Sequence, residues 1–249
     1  MTAESGTAAA ESTRAAELSS ALTGLLTRIE TACRAAGRDP DEVQLLPVTK
    51  FFPAADIEAL YRLGRREFGE SREQEAAAKV AALGHLSSVR WHMIGRLQRN
   101  KAKAVARWAH AVHSVDTERL AAALDSAAGA AREDGHRTAP LEVLLQVSLD
   151  GDPTRSGVSP DDLPRLADQV AAAEHLRLAG LMAIPPLAAD PEPEFARLAA
   201  LHTRLRADHP DATELSAGMS GDLEVAIRHG STCVRVGTAL MGERPITSG

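Results

Sequence analysis

Short apolar runs alternate with amphipathic stretches along most of the chain. VQLLPVT, REFG, VRWHMIG, AVHSV, LEVLLQVS, LRLAGLMAI, TELSA and TCVRVG have the length and the aliphatic, β-branched character of strands. Between them the apolar spacing changes to the helical period, which predicts helices over residues 54–63, 70–83, 98–108, 117–134, 160–172, 192–208 and 222–229. One more helix is predicted ahead of the first run, over residues 13–36, with Gly37 as its stop. Residues 1–12, rich in Ala, Ser, Thr and Glu, read as a disordered tail, leaving 13–249 as one domain.

Strands that alternate with helices build parallel βαβ units, and eight of them predict an α/β fold closed as a (β/α)8 TIM barrel with an extra N-terminal helix. An open doubly wound sheet is the alternative. Pro47 interrupts the first run, and because proline cannot donate to a ladder a local irregularity is expected there.

Composition narrows the partners. With 249 residues, 44% of them hydrophobic, the chain can bury a full core. A net charge of -6 with no Lys/Arg-rich run argues against nucleic acid or an anionic membrane as partner, so a metabolite is expected. Cys33 and Cys233 stand far apart, which suggests neither a disulfide framework nor a thiolate zinc site. With no signal-like start or membrane-length apolar stretch, a cytoplasmic protein is expected, monomeric or weakly homodimeric.

Lysine is scarce. Only Lys50, Lys79, Lys101 and Lys103 occur, and the last three read as solvated helix charges. Lys50 ends an apolar strand, where period two puts Leu46, Val48 and Lys50 on one face. If that face is the barrel interior, the amine emerges at the carboxyl-end mouth, where active sites of this fold sit. Apolar surroundings lower a lysine pKa and suit it to attack a carbonyl, with a solvent-facing strand-end lysine as the alternative.

The last two units suggest an anion. LSAGMSGD joins a strand end to a helix start, and RVGTALMG ends the last strand in a Gly-Thr turn. Phosphate sites of this fold lie after strands seven and eight, though Ser220 and Thr238 would also serve as ordinary caps. Arg235 alternates with Val234 and Val236, so it should point inward and need an acceptor, either a ligand ring nitrogen or an acid such as Glu70. Cys233 reads as a small core residue.

Taken in order, VTK, FGE with QE, WHMIGRLQRNK, HSVD, GLMAI, GMSGD and GSTCVRVGTALMG resemble the pyridoxal phosphate (PLP) homeostasis proteins, single-domain relatives of the alanine racemase barrel. The resemblance implies PLP as cofactor, Lys50 as its Schiff-base lysine and Arg235 facing its pyridine nitrogen. It places the phosphate on Ser220, Gly237 and Thr238, with help from Met219 and Ser216. His92 is a candidate lining residue of the mouth, against the alternative of a strand histidine bonded to backbone. Ser71 stands where the family often has asparagine, and Arg155 where it often has lysine, which puts any second reactive amine there in doubt.

The implied role is a carrier or buffer of PLP, with apo PLP-dependent enzymes as recipients and no substrate of its own. An arginine stays protonated, so a ring nitrogen facing Arg235 stays unprotonated and withdraws electrons poorly. Racemases sharing that arrangement add a tyrosine from another domain. No such domain is expected after Gly249, and the sole phenol, Tyr61, falls in a helix. A weak amino-acid racemase or lyase and a Schiff-base aldolase are the alternatives.

Overall fold

The computed structural model describes residues 2–152, 154–186 and 189–243. Among them eight parallel strands form one sheet: β1 (Gln44–Pro47), β2 (Glu67–Glu70), β3 (Arg90–Met93), β4 (Ala111–Val115), β5 (Leu141–Gln146), β6 (Leu176–Met182), β7 (Glu214–Ser216) and β8 (Cys233–Val236). Neighbours in sequence are neighbours in space, and β1 pairs with β8, so the sheet curls into a nearly closed barrel. The open-sheet alternative falls on that pairing.

Between the strands run α2 (Ala54–Arg62), α3 (Glu73–Ala82), α4 (Ala102–Ala106), α5 (Glu118–Glu133), α6 (Leu163–Ala171), α7 (Pro191–Asp208) and α8 (Leu223–Arg228). A last turn, α9 (Thr238–Met241), follows β8 at the Gly-Thr turn. Local chemistry sets several starts. Thr117 accepts the amide of Leu120 to begin α5, and Asp190 accepts that of Glu192 to begin α7, with Pro191 in the first turn.

Pro47 explains the last seam of the barrel. The amides of Gln44 and Val48 reach Thr232 and Val236 on the β8 side, whereas that of Thr49 reaches Gly69 on the β2 side. Alternation therefore turns position 47 toward β2, where proline has nothing to donate. The β1–β2 junction is reduced to a bridge between Val48 and Gly69.

The N-terminal helix, α1 (Thr2–Ala35), begins well before the expected residue 13. The segment read as a disordered tail continues the helix, as its alanines favour. Leu18, Leu22, Leu25, Ile29, Ala32 and Cys33 make a buried stripe that packs over α2, α8 and α9. Each large aliphatic so covered contributes about 1.5–3 kcal/mol. Val234 and Val236 belong to the same cluster, so β8 turns its valines outward and Arg235 inward, as expected.

Candidate functional site

At the carboxyl ends of the strands lies a cavity of about 570 Å³. Six of the eight residues singled out in the sequence line it together: Lys50, Met219, Ser220, Arg235, Gly237 and Thr238. Ser71 and Arg155 line it too. Ser216 and His92 do not; both are buried inside the barrel, on the far side of Arg235.

Lys50 sits in the turn after β1, three residues past Pro47, and that turn is braced from below. Phe51 has a positive φ of 72°, a conformation that costs a non-glycine residue about 1–3 kcal/mol unless its surroundings impose it. Its amide donates to Glu75 Oε1 at 2.6 Å. Lys79 then donates to Glu75 at 2.7 Å, to Glu70 at 2.8 Å and to the Thr49 carbonyl at 2.8 Å, while the Thr49 hydroxyl donates to Glu70 at 2.6 Å. Lys79 is therefore a buried ion-pair partner, not the solvated charge expected. The i,i+4 spacing of Glu75 and Lys79 was the available signal. Burial raises the Glu70 carboxyl, and the Lys79 and Thr49 hydrogen bonds offset that only in part.

Two glycine-rich turns form the opposite wall. Gly218 has a φ of 91°, and a Cβ there would stand 2.6 Å from the Ala226 methyl, so glycine is required where β7 turns into α8. Asp222 accepts the Met219 amide at 2.6 Å, which commits that donor and closes the turn. None of the described residues accepts a backbone hydrogen bond from the amides of Ser220, Gly221 or Gly237. Ser220 Oγ accepts from the Ala239 amide at 3.3 Å, tying the two turns together. From α1, Arg28 donates to the Ser220 carbonyl at 2.9 Å and pairs with Glu224, a brace with no signature in the sequence.

Arg235 is 4% exposed and its bonds are to neutral groups, donating to Ser216 Oγ at 2.8 Å and to the Ala183 carbonyl at 2.9 Å. The acid considered for it, Glu70, is taken by Lys79. A buried guanidinium without a carboxylate contact on the wall of a cavity favours an acceptor from a ligand. Ser216 thus serves Arg235 rather than an anion at the mouth. Behind it, Ser216 Oγ lies 2.9 Å from His113 Nδ1, and His113 Nε2 lies 2.9 Å from His92 Nδ1. His92 is held by side chains, neither at the mouth nor on backbone. Cys233 is buried, and burial pushes its thiol up to about 12, which fits an inert core residue.

The wall has one chemical peculiarity. Its described residues include an amine and three guanidinia, from Lys50, Arg96, Arg155 and Arg235, but no carboxylate, imidazole, thiol or phenol. Arg155 is held by Asp150 and by the Ile184 carbonyl at 2.8 Å, linking the loops after β5 and β6. Tyr61 lies on α2, its hydroxyl 3.1 Å from the Ser87 carbonyl and its ring under Arg66, away from the cavity.

The chain matches the family described as alanine racemase, N-terminal domain, over residues 25–245. It is 54% identical over 247 residues to the pyridoxal phosphate homeostasis protein of Mycobacterium tuberculosis, with 94% of this chain and 96% of that relative covered. The protein of that name from Corynebacterium glutamicum is 46% identical over 220 residues, covering 88% and 98%. Among solved structures, PipY of Synechococcus elongatus with PLP bound is similar at a TM-score of 0.78 and 37% identity, covering 90% of this chain and all of that one. Alanine racemase of Corynebacterium glutamicum shares the fold alone, at a TM-score of 0.65 and 16% identity over 92% of this chain and 62% of its own. With the family matched across most of the chain and these relatives matched across nearly their whole length, the protein belongs to the alanine racemase N-terminal domain family and, within it, to the pyridoxal phosphate homeostasis proteins.

Proposed function

We propose that the chain holds PLP in this cavity and takes part in its intracellular homeostasis as a single-barrel cytoplasmic carrier or buffer, delivering it to apo PLP-dependent enzymes. The supporting observation is the composition of the wall: a primary amine, a buried guanidinium without a carboxylate contact, and two turns with hydroxyls and uncommitted amides. These meet in kind what an aldehyde, a ring-nitrogen acceptor and a phosphate require. No helix among the described residues is long and apolar enough to cross a membrane.

When bound, the cofactor supplies an aldehyde that condenses with a primary amine and releases water. Lys50 would be the attachment point, kept at the mouth by the Thr49–Phe51 turn and the Lys79 brace. Ser220, Gly237 and Thr238 would hold the phosphate, and Arg235, donor only, would leave a facing ring nitrogen without a proton. Racemisation needs a positioned acid or base on each face of the cofactor, and among the described wall residues only Lys50 is suited to that work. That is the ground for a carrier rather than a racemase.

The test is borohydride reduction of protein incubated with PLP, followed by peptide mass spectrometry, with deuterium exchange at Cα of alanine, serine and glutamate measured in parallel. A pyridoxyl adduct on Lys50, lost in Lys50→Arg with the fold retained, and Cα exchange far below 1 s⁻¹, roughly the low end of enzyme turnover, are expected. An adduct elsewhere refutes the Lys50 assignment, and turnover near that rate refutes the carrier reading.

A further inference from the structure

The contacts of Arg235 continue through the barrel interior. From the guanidinium on the cavity wall they pass to Ser216 at the end of β7, to His113 on β4, to His92 on β3, and to Glu67 at the start of β2. Ser216, His113 and His92 are 0%, 1% and 5% exposed, so water is excluded from these links. His92 Nε2 lies 3.0 Å from Glu67 Oε2, although its N–H makes no well-aligned hydrogen bond. Gln44 and Arg90 also contact Glu67, which anchors this end of the chain.

The two ends constrain the protons between them. A guanidinium can only donate, so Ser216 accepts from Arg235 and its own proton is available to His113 Nδ1. His113 then carries its proton on Nε2, toward His92 Nδ1, and His92 Nε2 faces Glu67. A carboxylate can only accept, and Glu67 is ionised: burial raises its pKa, but the contacts of His92, Gln44 and Arg90 bring it to about 2. In the opposite order Ser216 would accept from both Arg235 and His113, and neither would take the proton of its buried hydroxyl. Burial, helped by the Arg235 guanidinium, holds His113 well below its usual range, so it is neutral.

We propose that Ser216, His113 and His92 form a hydrogen-bonded relay from Glu67 to Arg235, in which Ser216 gives its proton to His113 Nδ1, and that His113 is a positioning residue that aims Arg235 at the ring nitrogen of the ligand. The relay replaces the carboxylate that a buried arginine usually acquires. It fixes the guanidinium from behind while leaving its charge undivided toward the cavity. The aim at the ring nitrogen rests on the PLP reading; the proton order does not.

Two measurements test it. Long-range ¹H–¹⁵N correlation of histidine-labelled apoprotein reads the tautomers directly, and His113 is expected as a neutral Nε2–H ring. A proton on His113 Nδ1, or a cationic His113 at neutral pH, overturns the relay. The second compares PLP with its 1-deaza analogue, which has C–H in place of the ring nitrogen. Wild type is expected to prefer PLP, and His113→Phe to lose roughly tenfold of that preference, the effect of one displaced hydrogen bond. His113→Gln, which keeps a donor and an acceptor, should restore part of it. Equal weakening of both ligands in His113→Phe would mean a merely structural role and overturn the positioning. Failure of wild type to bind PLP would refute the proposed function and the aim at the ring nitrogen with it, while the tautomers still decide the relay.

Discussion

Ser220 and Thr238 carry the most specific expectation at the scale of single residues. Their hydroxyls line the cavity from two different turns, joined by the bond from the Ala239 amide to Ser220 Oγ. Ser220→Ala with Thr238→Val removes the hydroxyl donors that, on the proposed reading, would serve the phosphate, at about 1.5–3 kcal/mol for each charge-assisted bond. PLP affinity is expected to fall about a hundredfold or more, and that of unphosphorylated pyridoxal hardly at all. Titration of both ligands checks this; equal losses would place the phosphate elsewhere. Glu67 gives a pH-dependent expectation. Its folded value of about 2 lies below its ordinary 4.5, so it favours the folded state fully above the ordinary value, and that contribution fades as pH falls toward 2. The shift corresponds to roughly 3 kcal/mol. Glu67→Gln should therefore be clearly less stable than wild type at pH 7, and the gap should close in acid. A gap independent of pH, in urea unfolding at several pH values, would count against this account.

Helices and strands brace these residues, and here sequence and structure part company in an instructive way. The inward turn of Arg235 was legible because period two in a short apolar run assigns a face, and a charge on an interior face stands out. Lys50 was legible only as the charge that ends its run, since it sits in the turn past β1. Lys79 was not, because a helix shows which residues share a side but not whether a neighbouring strand end will cover them. The relay was hidden for a related reason: Ser216 and His113 are 103 positions apart, and only barrel closure brings them together. Ser216, read as a phosphate ligand, was correctly placed in the motif and wrongly placed in depth. The α3 brace has a measurable consequence. Lys79→Met would strand the Glu70 carboxylate, which is 0% exposed, and breaking a buried pair from one side costs about 3–5 kcal/mol. Lys79→Met with Glu70→Leu is expected to recover much of that loss. Chemical denaturation of the two variants checks it, and a double variant no better than the single one would show that Glu70 was not the stranded charge.

Across the whole molecule the fold was legible because eight apolar runs and the helices between them allow few architectures, and the pairing of β1 with β8 selected the closed one. Charge is distributed in a way that no local pattern announces. The chain carries a formal charge of -6, yet the described wall of its cavity holds only cations. Such a cavity behaves as a small anion exchanger set in an acidic body. Small ions compete for it, and screening shortens its reach, from about 10 Å in 0.1 M salt to about 3 Å in 1 M. Stopped-flow loading with PLP is expected to slow severalfold across that range, and the equilibrium to shift toward free cofactor; loading indifferent to salt would show that the wall charges act only on contact. The quantity of cofactor held would then follow the ionic strength of the surrounding solution as well as the supply of PLP, so that a change in salt alone loads or empties the store.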